Sequence, residues 1–250
     1  MVPAPRIEIL GIPFTPLTAD DALVAIERLY ERAEPATVFH ANVHTVNLAA
    51  SDPGYMEVLR SGDLVLNDGK GVMLGARLLG SRFPHDLNGN FVTPLVLERA
   101  AERGWPTFLL GARPDVIERA ADLVAGRYPG LEIVGTHHGY IKDDADVARA
   151  IRDAGPGLLL CGMGNPNQES WLARNLRATG ARLGIGVGAF FDFQTGEIRR
   201  APAWMNRVGI EWIHRLFKEP ARMWRRYIVG NPFFVARVLR QRVRGGRVTS

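Results

Sequence analysis

The sequence predicts an α/β fold built on a largely parallel sheet with helices on both faces, and three observations lead there. Short apolar runs alternate with segments of helical periodicity through the first 198 residues. Run after run ends in glycine, asparagine or aspartate just before a helix begins, as strands do in such sheets. Of the 250 residues, 46% are hydrophobic, enough to bury one good core without disulfide or metal staples.

In chain order, the runs IEIL (7–10), ATVFH (36–40), LVL (64–66), TFLL (107–110), EIVGT (132–136), GLLLC (157–161) and RLGIGV (182–187) read as strands. Between them, 19–31, 44–51, 53–61, 71–79, 91–103, 114–127, 145–153 and 167–179 read as helices. From Arg199 the pattern changes to aromatic and basic residues at helical spacing. Pro220 and Pro232 are expected to divide that region into short helices, because proline breaks a continuous one. The chain therefore divides into an α/β body, 1–198, and a basic, aromatic helical appendage, 199–250.

Charge follows the same division. Residues 199–250 carry 13 Lys and Arg against 2 Glu, net +11, while the remainder, with 18 basic and 24 acidic residues, is net −6. A basic segment of this kind meets phosphate, on nucleic acid or on a lipid surface. No nucleic-acid module accompanies the charge, so nucleic acid is not the expected partner. Amphipathic basic helices bearing Trp204, Trp212 and Trp224 suit an anionic bilayer surface, or else pack their aromatic face on the body. No run approaches the length of a spanning helix, and the N-terminus lacks the pattern of a signal peptide. The single cysteine, Cys161, ends an apolar run and reads as a small buried hydrophobe.

Chemistry is expected in the loops beyond the strand ends. GMGNPNQESW (162–171) follows GLLLC and begins a helix. It fails the dinucleotide fingerprint G-x-G-x-x-G, because its third glycine position is Asn167 and Pro166 intervenes. A nicotinamide oxidoreductase is thereby disfavoured. Two readings of the loop stay open: a tight turn capped by Asn165 or Asn167, or a cradle whose backbone N–H groups and helix dipole receive phosphate. On the second reading Gly164 and Asn165 touch substrate.

Asp68, in LNDGKG, ends another strand and is either turn chemistry or a general base. Asn42, just past a third strand, is placed to face the same crevice. Metal sites are poor. His137 and His138, adjacent in a strand, should point to opposite faces. Asp144-Ala-Asp146 sits at a helix start, where acidic residues serve as caps and dipole partners, and it is also a spelling that binds divalent cations. No metal and no cofactor are expected.

The ordered motifs NDGKGV, LLGARPDV, YPGL, GMGNPNQESW, GVGAFFDFQTGEIRRAPAWM and GIEWIHRLFKEPARMWRRY resemble the WecG/TagA/CpsF family of bacterial glycosyltransferases, glycosyltransferase family 26, over nearly the whole chain. The resemblance implies a Rossmann-like body and an inverting, metal-independent transfer of a hexose or N-acetylhexosamine from a UDP-sugar. The implied acceptor is a polyprenyl-diphosphate-linked saccharide, in cell-surface polysaccharide synthesis. It implies a cytoplasmic protein peripherally bound to the inner face of the cell membrane, with homo-oligomers possible.

By the same carry-over, Asp68 is the base, Asn42 and Gln168 are its catalytic companions, and Tyr140 and Asp192 lie at the nucleobase. Gly111 and Gly164 lie near ribose or diphosphate, and Arg215, Arg222 and Arg225 face acceptor phosphates. Two departures bear on the donor. His40 stands where teichoic acid members have threonine, and it lines the substrate site on this reading. Asp86-Leu-Asn-Gly89 stands where they carry an arginine, which removes a cation from the rim and sets a glucose-type donor beside N-acetylmannosamine. A non-catalytic nucleotide-binding protein of an envelope-assembly system is the alternative.

Overall fold

The computed structural model describes residues 6–198, 205, 216, 217 and 220–245. Six parallel strands form the central sheet in the order β4-β3-β8-β7-β5-β6. They are β3 (Ala36–Ala41), β4 (Leu64–Asn67), β5 (Thr107–Gly111), β6 (Ile133–His137), β7 (Leu158–Gly162) and β8 (Leu183–Gly186). A small antiparallel hairpin, β1 (Ile7–Ile9) with β2 (Ile12–Phe14), precedes them. Its turn residues Leu10 and Gly11 both have positive φ, 50° and 89°, the twist that a tight hairpin turn requires. The second hairpin strand escapes sequence reading because Pro13 sits in its middle, which is tolerated on this edge pairing.

Consecutive residues of each strand feed opposite cores. Val38, Leu158 and Leu160 face one side with α1 (Ala19–Tyr30), α5 (Gly89–Arg103), α6 (Pro114–Arg127) and the short α9 (Phe190–Gln194). Phe39, Leu159 and Cys161 face the other, with α2 (Val43–Ala49), α3 (Pro53–Arg60), α4 (Lys70–Leu78), α7 (Asp144–Ala154) and α8 (Asn167–Thr179). Burial on both faces is why the strands read as continuous apolar runs rather than as alternating ones. The expected strands and helices are all present, with ends displaced by one or two residues.

The chain leaves β5 toward β6 at the sheet edge and leaves β7 in the opposite direction, toward β8. A crevice opens beyond strands whose connections diverge in this way. Their tips approach closely: a Cβ on Gly111, at φ 138°, would stand 2.5 Å from the Gly162 backbone, so only glycine fits there.

Pro220 opens α10 (Pro220–Trp224), but Pro232 does not break the chain into separate helices. A π-helical stretch, Arg225–Val229, joins α10 directly to α11 (Gly230–Val243), and Pro232 lies within the first turn of α11. Early helical positions need no N–H donor, and a π turn relieves the clash of a proline ring with the preceding turn. Phe234 and Val238 of α11 are fully buried in the core shared with α2 and α4, and a Cβ on Gly75 would stand 2.6 Å from the Phe234 ring. Asn47 donates to the Gly230 carbonyl at 2.8 Å, and Gln241 bridges the hairpin through Leu10 N–H and the Glu8 carbonyl.

Truncating Phe234 to alanine should remove about 3–5 kcal/mol of stability, the cost of emptying a buried aromatic site. Urea unfolding of Phe234→Ala against wild type measures it, and a loss under about 1 kcal/mol would show that α11 does not share the core.

Candidate active site

Parallel pairing of β3 with β4 sets Ala41 opposite Asn67, so the next residues, Asn42 and Asp68, emerge side by side at the carboxyl edge. Asn42 is the N-cap of α2: its Oδ1 accepts from His44 N–H at 3.0 Å, Thr45 N–H at 3.1 Å and Thr45 Oγ1 at 3.2 Å. With the oxygen committed, the amide nitrogen faces outward and donates to Asp68 Oδ2 at 2.9 Å. The Asp68 N–H is held by the Ala41 carbonyl at 3.0 Å. Asp68 is half-buried, so its carboxylate is positioned yet reachable.

The loop 85–89 is strapped over this pair. Asn67 Nδ2 donates to the His85 carbonyl at 2.9 Å, Gly69 N–H to Asp86 Oδ1 at 2.8 Å, and His40 Nδ1 bonds the Leu87 carbonyl at 2.9 Å. Because a carbonyl only accepts, His40 carries its proton on Nδ1. Its Nε2 is buried without a partner. Burial pushes the His40 pKa down, against the pull of Asp68 and of the Leu87 carbonyl, which keeps the ring neutral with a free lone pair. Burial pushes Asp86 up, against the Gly69 N–H bond, and Asp68 nearby adds to the rise. Two acidic side chains and a neutral imidazole thus share one rim.

The second half of the site is the set of turns after β5, β7 and β8. Gln168 is only 1% exposed, and its Oε1 accepts from Gly164 N–H at 3.2 Å and Gly188 N–H at 3.0 Å. The Gly164 amide is therefore spent on Gln168, and a phosphate cradle there must draw on other donors. Asn165 caps nothing at the backbone of α8: its amide donates to Glu169 Oε1 at 2.7 Å. Glu169 is fully buried, and burial pushes its carboxyl up against the donors Gln168, Tyr55 and Asn165. No sequence pattern singles out Tyr55 or Glu169. The one signal was an acidic residue following Gln168 in a helix whose apolar face it shares. Gly111 stands at the β5 tip, Tyr140 is exposed with its ring 6.4 Å from that of His138, and Asp192 lies in the first turn of α9.

Other expectations are revised or fall elsewhere. His137 and His138 do not point apart, since β6 ends at His137 and the two rings lie 4.5 Å from each other. The cap of α7 is Asp143, while Asp144 reaches across to Trp171 Nε1 at 2.9 Å and Asn175 Nδ2 at 3.0 Å. Among the described residues no group of three His, Cys, Asp or Glu is disposed to hold a metal ion. Cys161 is buried, and burial raises its thiol well above the usual range. Arg215 and the Arg222 side chain lie outside the described residues, while the exposed Arg225 lies over the Trp224 ring at 5.3 Å.

The fold sets a reachable carboxylate at the carboxyl edge of a doubly covered parallel sheet, and comparison with known proteins gives the class: glycosyltransferase. The chain belongs to the WecG/TagA/CpsF family: the family model described as "Glycosyl transferase WecG/TagA/CpsF family" matches residues 7–248. The N-acetylglucosaminyldiphosphoundecaprenol N-acetyl-beta-D-mannosaminyltransferase of Bacillus subtilis (strain 168) is 30% identical over 92% of this chain and 90% of its own length. The protein of the same name from Bacillus spizizenii is 33% identical over 77% of this chain and 74% of its own. That from Staphylococcus aureus (strain MW2) is 29% identical over 88% and 87%.

Asp86 yields a pH prediction. Its folded pKa is raised above the ordinary 3.8, so the stability it contributes is complete below that value and is lost as pH rises through the folded value. Asp86→Asn keeps an acceptor for Gly69 and removes the charge, so wild type should lose stability relative to the variant between pH 4 and neutrality. Urea unfolding across that range checks it, and parallel curves would refute the assignment.

Proposed function

We propose that this enzyme transfers a sugar from a UDP-sugar to a polyprenyl-diphosphate-linked saccharide, inverting the anomeric carbon without a metal ion. The observation that carries the reading is the Asn42–Asp68 pair: a carboxylate held at 2.9 Å by a capped amide, half open to solvent, at the edge where such sheets bind ligands. The relatives, named for transfer onto N-acetylglucosaminyldiphosphoundecaprenol, supply the acceptor class.

In this reading Asp68 accepts the proton of the acceptor hydroxyl as the hydroxyl oxygen attacks the anomeric carbon from the face opposite the diphosphate. Asn42 keeps the basic oxygen aimed. UDP departs with the bonding electrons, and its charge is met by helix N-terminal amides and arginines, while Arg215, Arg222 and Arg225 hold the acceptor phosphates. Tyr140 and Asp192 receive the nucleobase. The Asp144 carboxylate is committed to Trp171 and Asn175, which supports a mechanism that does not use it as a cation ligand. Asp86 offers an acceptor to sugar hydroxyls where an arginine is expected, and this favours a hydroxyl-rich, glucose-type donor.

The acceptor is membrane-bound, and α11 supports delivery from a bilayer surface. Pro232, Ala236, Leu239 and Val243 recur at alternating four- and three-residue spacing, all exposed, on the face opposite Phe234 and Val238. Arg240, Arg242 and Arg244 flank that stripe, and residues 220–245 contain no acidic side chain. No described helix is long and apolar enough to cross a membrane, so the stripe would lie in the interface plane.

Asp68→Asn should lower transfer by about 10²–10⁴-fold, the usual share of a general base, while UDP binding by calorimetry stays within a few-fold. Full activity would remove Asp68 from the role. Replacing Leu239 and Val243 together by Glu should weaken co-sedimentation with phosphatidylglycerol vesicles several-fold without changing the melting temperature, and unchanged binding would move the membrane contact elsewhere.

A further inference from the structure

Behind the reactive edge lies a closed polar network that the transfer step does not touch. The buried Glu169 carboxylate takes three side-chain donors: Tyr55 Oη at 3.0 Å, Asn165 Nδ2 at 2.7 Å and Gln168 Nε2 at 2.7 Å. Gln168 in turn offers its Oε1 to Gly164 N–H and Gly188 N–H, at 3.2 and 3.0 Å. Tyr55 belongs to α3, Gly164 and Asn165 to the turn between β7 and α8, and Gly188 to the turn between β8 and α9. One dipeptide, Gln168-Glu169, therefore laces three separate segments together.

The network has a direction. A glutamine amide has one accepting end and one donating end. Two backbone N–H groups require oxygen at the first end, and a carboxylate requires nitrogen at the second. Turned over, the side chain would set its NH₂ against two donors and its oxygen against Glu169, losing all three contacts in a site sealed from water. Space is reserved for it: a Cβ on Gly186 of β8 would stand 2.9 Å from Gln168 Nε2. Without the carboxylate, the NH₂ end loses its acceptor and only the two backbone N–H groups still select the orientation of the amide.

We propose that Glu169 is a positioning residue of the donor site, which sets the Gln168 amide and through it the separation of the β7–α8 and β8–α9 turns. The proposal rests on the reading above that these turns face the nucleotide of the donor. It assigns Gln168 to holding the loops rather than to contact with the reacting atoms, and it draws Tyr55, far away in sequence, into the same device.

The test has two readouts, amide exchange at Gly164 and Gly188 by NMR without substrate, and steady-state transfer. In Glu169→Gln both amides should exchange at least about tenfold faster than in wild type, as a local opening replaces a held bond. The donor KM should rise about tenfold with a smaller change in kcat, since the loss falls on binding. The exchanged pair Gln168→Glu with Glu169→Gln restores one acceptor facing two N–H groups and one amide facing a carboxylate, with the Asn165 amide turned so that its oxygen meets the new NH₂, and it should recover both readouts. Tyr55→Phe removes a single donor without altering the dipeptide, and it should shift both readouts in the same direction by a smaller factor.

Amides that stay protected in Glu169→Gln, a donor KM unchanged there, or a folded exchanged pair no better than the single variant would each overturn the proposal. So would Tyr55→Phe without effect on either readout. Wild-type protein that turned over no UDP-sugar would instead strike the donor reading, while the exchange measurement would still decide whether Glu169 sets Gln168.

Discussion

The site depends on one side chain that serves two structures at once. Asn42 ends a strand and begins a helix, and the three hydrogen bonds that its oxygen accepts as a helix cap leave its nitrogen only one direction to point. Asp68 lies in that direction because parallel pairing brings the neighbouring strand to the same height. A carboxylate on a glycine-bearing turn would otherwise sample several rotamers, and ordering it during the reaction would cost free energy. Here the order is supplied by folding. The constraint also explains why the capping residue is asparagine: aspartate could cap the helix but would set like charges together, and serine or threonine could cap it but could not reach the carboxylate with a second polar atom.

The electrostatics around that pair differ from those of a simple cationic phosphate pocket. Asp86 turns inward to the N–H of Gly69, and His40 stays neutral beneath the Leu87 carbonyl. The rim beside Asp68 is therefore rich in acceptors, and in the proposed reading positive charge would come from helix ends and from the arginines of the C-terminal segment. Separating the two by position suits a reaction in which hydroxyl groups meet one wall and phosphates the other. The cost is the burial of Asp86 next to a second carboxylate, a tension that functional sites commonly retain.

Much of the frame was legible in the sequence because it follows from local rules. Strands buried on both faces show as apolar runs, and each strand-to-helix turn shows as glycine, asparagine or aspartate. The hairpin strand at Ile12–Phe14 and the five-residue α9 were not legible, being too short for periodicity and, in the first case, interrupted by proline. Pro232 misled for a related reason: a break is the rule within a helix, but a π turn just upstream lets the chain continue. Asn42 and Asp68 were found as loop residues near one another. The network of Tyr55, Asn165 and Glu169 was not, because its partners lie up to 114 residues apart and no spacing rule links them. Gln168 was singled out by its motif, yet only the structure shows both ends of its amide in use.

The seating of α11 has a consequence for synthesis. Phe234 and Val238 complete a core whose other walls are α2 and α4, the helices that start at Asn42 and just after Asp68. While the chain grows on the ribosome, those walls are made early and remain uncovered for more than a hundred residues, with the apolar surface around Gly75 exposed to the solvent or to a chaperone. The helices that begin beside Asn42 and Asp68 thus acquire this support only after residue 238 leaves the exit tunnel. A nascent chain stalled short of that point would carry both Asn42 and Asp68 and still lack the packing of α11 on α2 and α4.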